Sequence, residues 1–211
     1  MKLKNIILSG LFVSVLISCE GVTDISPKDS LTDASYWSKV EDLKLYANNL
    51  YTNLSAPGID KDNVSDNCIT TNYSSYLFNE TTIPSTASEA GWTWGNIRNC
   101  NFFLTRYQKV QAAPSEVNPY VAEVRFFRAL DYFGKIKQFG DVPWYDKDLQ
   151  TADTDELYKP RDTRDFVLGK IIEDLEFAIQ WLPDADKAEK GRLNKDAART
   201  QLARVCLHEG T

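Results

Sequence analysis

Apolar residues recur three or four positions apart in five stretches of the chain, the spacing of a helix with one buried face. In residues 39–54, KVEDLKLYANNLYTNL, the stripe is Val40, Leu43, Ala47, Leu50 and Leu54. A second helix is expected over about 92–110, with Trp94, Ile97, Cys100 or Asn101, Leu104 and Tyr107 on one side. A third covers about 116–138, entered through Pro114 and a capping Ser115, striped by Val121, Val124, Phe127, Leu130 and Ile136, and stopped by Gly140 and Pro143. The fourth, about 164–182, has Asp162 or Thr163 as its cap, Val167, Ile171, Leu175, Ala178 and Leu182 as its stripe, and Pro183 as its end. The fifth, 195–209, is capped by Asn194, packs Ala198, Leu202 and Val205, and finishes at Gly210.

No segment has the alternation of a strand, so the predicted fold is all-α, with about five main helices. Lengths of this kind, mixing small and aromatic positions, suggest a tetratricopeptide-like array of helical hairpins, although no clean 34-residue self-match is present. Two stretches interrupt the pattern. Residues 55–91 form a long polar excursion, the kind of loop that often carries function on a helical scaffold, and 146–162 reads as an acidic connector.

The N-terminus changes the picture of where the protein works. Lys2 and Lys4 precede an apolar run from Ile6 to Ile17, which reads as a secretory signal too short for a comfortable membrane span. Leu16-Ile17-Ser18-Cys19 has the form of a bacterial lipobox, so residues 1–18 are expected to be removed and Cys19 acylated; a plain secretory signal is the alternative. Acyl chains contribute about 0.8 kcal/mol per buried methylene, enough in combination to hold a domain on a membrane. Residues 19–38 then form the lipidated cysteine and tether, and 39–211 the helical domain.

A hydrophobic share of 43% with 26% charged residues places the chain among globular proteins rather than disordered ones. Removing the signal takes Lys2 and Lys4 with it and leaves 22 bases against 30 acids, a net charge of −8 that argues against nucleic acid as a partner. Cys68, Cys100 and Cys206 lack the paired short spacings of a zinc site, so no metal or cofactor is expected. A Cys68–Cys100 disulfide is one reading; buried thiols at Cys100 and Cys206 are the preferred one.

Nothing in the pattern points to an enzyme. The lone histidine, His208, sits near a helix end with no partner nucleophile, and reads as a surface residue. Glu173, Asp174 and Glu176 read as a solvated helix face, with no pair singled out to converge across a glycosidase cleft. Arg125 and Arg128 straddle the stripe of the third helix, where guanidinium groups bridge carbonyls or carboxylates of adjoining helices, a structural role.

Several segments resemble the SusD/RagB family of outer-membrane nutrient-binding lipoproteins. They are AEVRFFRALDYFGKIKQFGDVPWY (122–145), RDTRDFVLGKIIEDLEFAIQWLP (161–183), GRLNKDAARTQLARVCLHEG (191–210), IRNCNFFL (97–104) and the lipobox. The resemblance covers nearly the whole chain, but family members are typically far longer, so it implies an N-terminal part, truncated at the C-terminus. It also implies a lipid-anchored protein on the outer face of a Gram-negative outer membrane, partnering a SusC-like TonB-dependent transporter in capturing glycans for import, with no catalysis. A helical adaptor that binds only protein, or capture of a non-sugar nutrient, are the alternatives.

Sugar recognition needs an aromatic face for the C–H side of the pyranose ring and amides or carboxylates for its hydroxyls. The excursion offers that mixture, making Trp92, Tyr76, Tyr73 and Asn72 the candidate ligand residues; packing of the tyrosines onto the helices is the alternative. Trp92 and Trp94 lie two positions apart, about 200° on a helix, so they cannot share a face if the helix includes both. The stripe claims Trp94 for the core and leaves Trp92 as the ligand platform.

Overall fold

The structure, a computed structural model, describes residues 36–54, 64–65, 68–69, 80 and 83–210. Its helices are α1 (Val40–Leu50), α2 (Gly95–Leu104), α3 (Pro114–Phe139), α4 (Thr154–Leu157), α5 (Arg164–Trp181) and α6 (Lys195–Glu209). The five long ones match the predicted five, and α4 is a single turn within the acidic connector. Two strands of two residues each, β1 (Val64–Ser65) antiparallel to β2 (Cys68–Ile69), form the one sheet among the described residues.

Local chemistry explains the helix ends. The Asp42 carboxylate accepts hydrogen bonds from the Ser38 amide (3.2 Å), the Ser38 hydroxyl (3.0 Å) and the Lys39 amide (3.0 Å), satisfying donors the first turn of α1 leaves unpaired. Thr163 Oγ1 accepts from the Phe166 amide at the start of α5, and Asn194 Oδ1 from the Ala197 amide at the start of α6, so both expected caps form. The start of α3 differs from expectation. Ala113, not Ser115, occupies the cap position, Pro114 takes the first helical position with its fixed φ, and Glu116 reaches back to the Ala113 amide at 3.2 Å. Gly140 at φ 68° closes the helix.

Helix α3 is the hub, packing against α1, α2 and α5, while α5 packs against α6. Near the end of α3, Asp141 Oδ1 accepts the Arg164 amide at the start of α5, while Arg125 stacks on Phe177 further along, so α3 and α5 run antiparallel. Arg164 likewise joins the start of α5 to Glu209 at the end of α6, and the Lys195 amide donates to Pro183 O at the other end. The result is a run of antiparallel helix hairpins, as in tetratricopeptide-like arrays.

The α5 stripe is buried at all five expected positions, its valine, isoleucine and leucine side chains each contributing about 1.5–3 kcal/mol. Leu54 falls outside the core, because α1 gives way to a 3-10 turn at Tyr51–Asn53 that rotates it into solvent. Leu130 is half-buried. Asp174 is the larger correction: it is buried, not part of a solvated face, while Glu173 and Glu176 are exposed as expected. Cys100 is a buried free thiol, pushed up to about 12 by burial, so the Cys68–Cys100 disulfide is not formed; Cys206 is exposed, on the outer side of α6.

Candidate functional site

A buried polar relay crosses the helices. Arg128 of α3 donates through Nε and Nη2 to the two carboxylate oxygens of Asp174 on α5, at 2.7 and 2.8 Å, and through Nη1 to Asn101 Oδ1 of α2 at 3.0 Å. Asn101 Nδ2 in turn donates to the Tyr145 carbonyl at 2.7 Å. Burial works to lower the Arg128 pKa, but the bonds and charge of Asp174 outweigh it and hold the guanidinium above its ordinary range. Arg125 adds a second, longer contact to Asp174 at 3.3 Å.

The relay ends on the segment after α3, which is folded back over the helices. Trp144 packs on Tyr132 (centroids 4.3 Å apart), and its amide donates to Asp162 Oδ2 at 2.7 Å. Lys159 Nζ donates to the Trp144 carbonyl at 2.6 Å, and Val142 pairs with Asp162 in an isolated bridge. The Tyr145 amide donates to the Tyr132 hydroxyl at 2.7 Å; burial pushes that phenol's pKa up, keeping it neutral. These contacts turn the ring of Tyr145 toward the start of α2.

A compact turn over residues 85–91 brings the tryptophans there. Glu89 accepts from the Ser85 amide and hydroxyl at 2.9 and 2.8 Å, and the Trp92 amide donates back to Ala87 O at 2.8 Å. Gly91 takes φ 77°, a conformation side-chain-bearing residues rarely adopt, and Gln138 of α3 donates to Ala90 O at 2.8 Å. Helix α2 starts at Gly95, so neither Trp92 nor Trp94 is within it, and the 200° argument loses its premise. Their rings meet edge to face at 5.2 Å.

Together the turn, the start of α2 and the folded-back segment enclose an open pocket of about 580 Å³, within the usual range of about 300–1,000 Å³ for small-ligand sites. Trp92, Trp94, Tyr145 and Tyr158 supply its rings. Trp94 is therefore both packing and lining: it is half-buried, touches Tyr132 and Tyr145, and faces the same space as Trp92. Three rings carry a cation over one face, namely Arg161 over Trp92 at 4.8 Å, Lys135 over Trp94 at 4.9 Å and Lys159 over Tyr145 at 5.2 Å.

Of the four ligand residues expected from sequence, Trp92 lines this pocket, whereas Tyr76, Tyr73 and Asn72 lie outside the described residues, as do Cys19 and residues 20–35 of the expected tether; Trp37, at the end of that stretch, is buried against the helices. Sequence reasoning missed Trp94, Tyr145, Tyr158 and Arg161. The density of aromatic and basic residues over 143–161 was the available signal, hidden by the acids among them. His208 is exposed beside Glu209 and Phe133, as a surface residue.

Residues 23–207 match the SusD-like family described as "Starch-binding associating with outer membrane". SusD-like protein P38 of Formosa agariphila is 27% identical over 190 residues, covering 84% of this chain and 37% of the relative. A SusD-like protein of Bacteroides fragilis superposes with a TM-score of 0.69 at 29% identity, over 88% of this chain and 38% of that one. A SusD-like carbohydrate binding protein from the same species, 20% identical, shares the fold with a TM-score of 0.66 over 82% of this chain and 38% of its own. This chain spans less than half the length of each of these relatives. With its family match running over most of its length and its helices in the arrangement those proteins share, the chain belongs to the SusD-like family.

Proposed function

We propose that this chain captures glycans at the cell surface for import by a SusC-like TonB-dependent outer-membrane transporter, acting as a binding protein and not as an enzyme. The observation that carries the reading is the pocket in which Trp92, Trp94 and Tyr145 converge on one concave surface. Aromatic rings take the apolar face of a pyranose, and the Gln150 and Thr151 side chains at the same pocket suit its hydroxyls. Family membership supports carbohydrate as the ligand class. Isothermal titration of a glycan panel tests it: Trp92→Ala abolishes or strongly weakens the binding seen with the parent chain, and unchanged affinity removes this site. Tyr73, Tyr76 and Asn72 extend the surface in the same proposal, and Tyr76→Ala tests that extension.

Localisation follows the same reading. Residues 1–18 serve as signal, Cys19 takes the lipid, 19–38 tether, and 39–211 supply the helical domain that meets the transporter. Palmitate labelling lost in Cys19→Ala, together with co-purification of a β-barrel transporter with the parent chain, is the expected result. Co-purification with an unrelated partner, and no glycan binding, would instead make the chain an adaptor.

A further inference from the structure

The pocket's charge runs against that of the chain. The protein carries 30 acidic and 24 basic residues, yet Arg98, Lys147, Lys159 and Arg161 line the pocket and no described carboxylate does. How far each base is already neutralised separates them. Lys159 donates to the Trp144 carbonyl and has Asp162 at 3.4 Å and Glu156 at 3.7 Å, so its charge is committed to the scaffold. Lys147 shares Glu156 at 3.9 Å, and its side chain is mostly exposed. Arg98 stands 3.8 Å from Asp148, which is held more closely by Arg106 at 2.8 Å. Arg161 makes no ion pair among the described residues, and its hydrogen bond to the Asp141 carbonyl is long at 3.5 Å.

Arg161 is also the base laid on the ring of Trp92. A guanidinium held over an indole face keeps its N–H donors for other partners, and their fork matches the paired oxygens of a carboxylate or sulfate. Uncharged hydroxyls are served by amides and have no need of an unneutralised cation. In a concave site with apolar walls, cations without counter-charges raise the local concentration of anions.

We infer that the pocket takes anionic oligosaccharides, with the acid group of the sugar, a uronate carboxylate or a sulfate ester, bound at Arg161 beside Trp92 and with Arg98 and Lys147 on the rim. This assignment rests on the glycan reading above and narrows it. The pyranose lies against the pocket's rings while its acid group exchanges water for the guanidinium edge.

Titration calorimetry of the full chain with three length-matched probes tests it: oligogalacturonate, sulfated carrageenan oligosaccharide and neutral malto-oligosaccharide. At least one acidic probe binds more tightly than the neutral one, with affinity falling as salt rises, and both Arg161→Gln and Trp92→Ala weaken it by about tenfold or more. Comparing the first two probes distinguishes carboxylate from sulfate. Circular dichroism of both variants checks that they fold. Tighter or equal binding of the neutral probe, lost in Trp92→Ala and untouched by Arg161→Gln, overturns the acidic class and leaves the glycan reading intact. Acidic binding unaffected by either substitution overturns it as mere surface attraction. Binding of none of the three, nor of any glycan in the wider panel, overturns both readings.

Discussion

Arg128 and Asp174 form a two-pronged ion pair between α3 and α5, at 2.7 and 2.8 Å, in which both residues are almost wholly buried. Removing Arg128 takes away both short bonds and leaves the buried Asp174 carboxylate with only the longer, partly exposed contact to Arg125 at 3.3 Å. Arg128→Ala is therefore expected to destabilise the fold by about 3–5 kcal/mol, measured by urea unfolding. The paired replacement Arg128→Met with Asp174→Leu removes both charges and is expected to recover most of that loss. An unchanged Arg128→Ala midpoint would show that the pair does not hold the helices together.

The same pair shows how much was legible in advance. The stripes of α1, α3, α5 and α6 were readable because a helix repeats its contacts every three or four residues. A structural role for Arg128 was also readable, from its position beside a stripe. Its partner was not, because Asp174 sits between Glu173 and Glu176, and three acids within four positions of a helix look alike until the neighbouring helix is placed. The pocket was less legible still. Trp92 was found from its neighbours in sequence, but Trp94, Tyr145 and Arg161 meet it only through Gly91, Gln138 and the Asp162–Trp144 bond, and no local periodicity announces those contacts.

Tyr132 connects the core to the pocket wall. Its hydroxyl accepts the Tyr145 amide hydrogen at 2.7 Å while its ring packs under Trp144. Tyr132→Phe keeps the ring and leaves a part-buried amide without its acceptor, so a loss of about 1–3 kcal/mol is expected. Because Tyr145 lines the pocket, ligand affinity is expected to fall in the same variant under conditions where it remains folded. Loss of stability with unaltered binding would separate Tyr145's backbone anchoring from the site.

Acid should loosen the start of α1. Burial tends to raise the Asp42 carboxyl, but the bonds from Lys39 and Ser38 prevail and hold its pKa below the ordinary value of 3.8. A depressed folded pKa means that the unfolded chain binds the proton more readily. The stabilisation is then complete above the ordinary aspartate range and is lost as pH falls through the folded value. Asp42→Ala is expected to cost about 1 kcal/mol near neutrality, the usual worth of a helix-start cap, and the gap from the parent chain should narrow toward pH 3 in urea titrations. A gap constant with pH would mean that the carboxylate charge is not what the cap uses.

Gly91 sets the direction of Trp92, and its replacement should reach the pocket through the backbone. At φ 77° an alanine is strained, and its added carbon would stand 3.2 Å from Gln138 Nε2, the same atom that clamps Ala90 O. Gly91→Ala is thus expected to cost about 1–2 kcal/mol and to weaken glycan binding by displacing Trp92, although no atom of residue 91 is needed for contact with ligand. Gly95 provides the comparison. It opens α2 without a positive φ and has no atom near its missing side chain, so Gly95→Ala should leave stability level or slightly raised, since alanine loses less entropy on entering a helix. Thermal unfolding and calorimetry of the two variants side by side decide the point: equal effects would mean that the left-handed turn does not control where Trp92 sits.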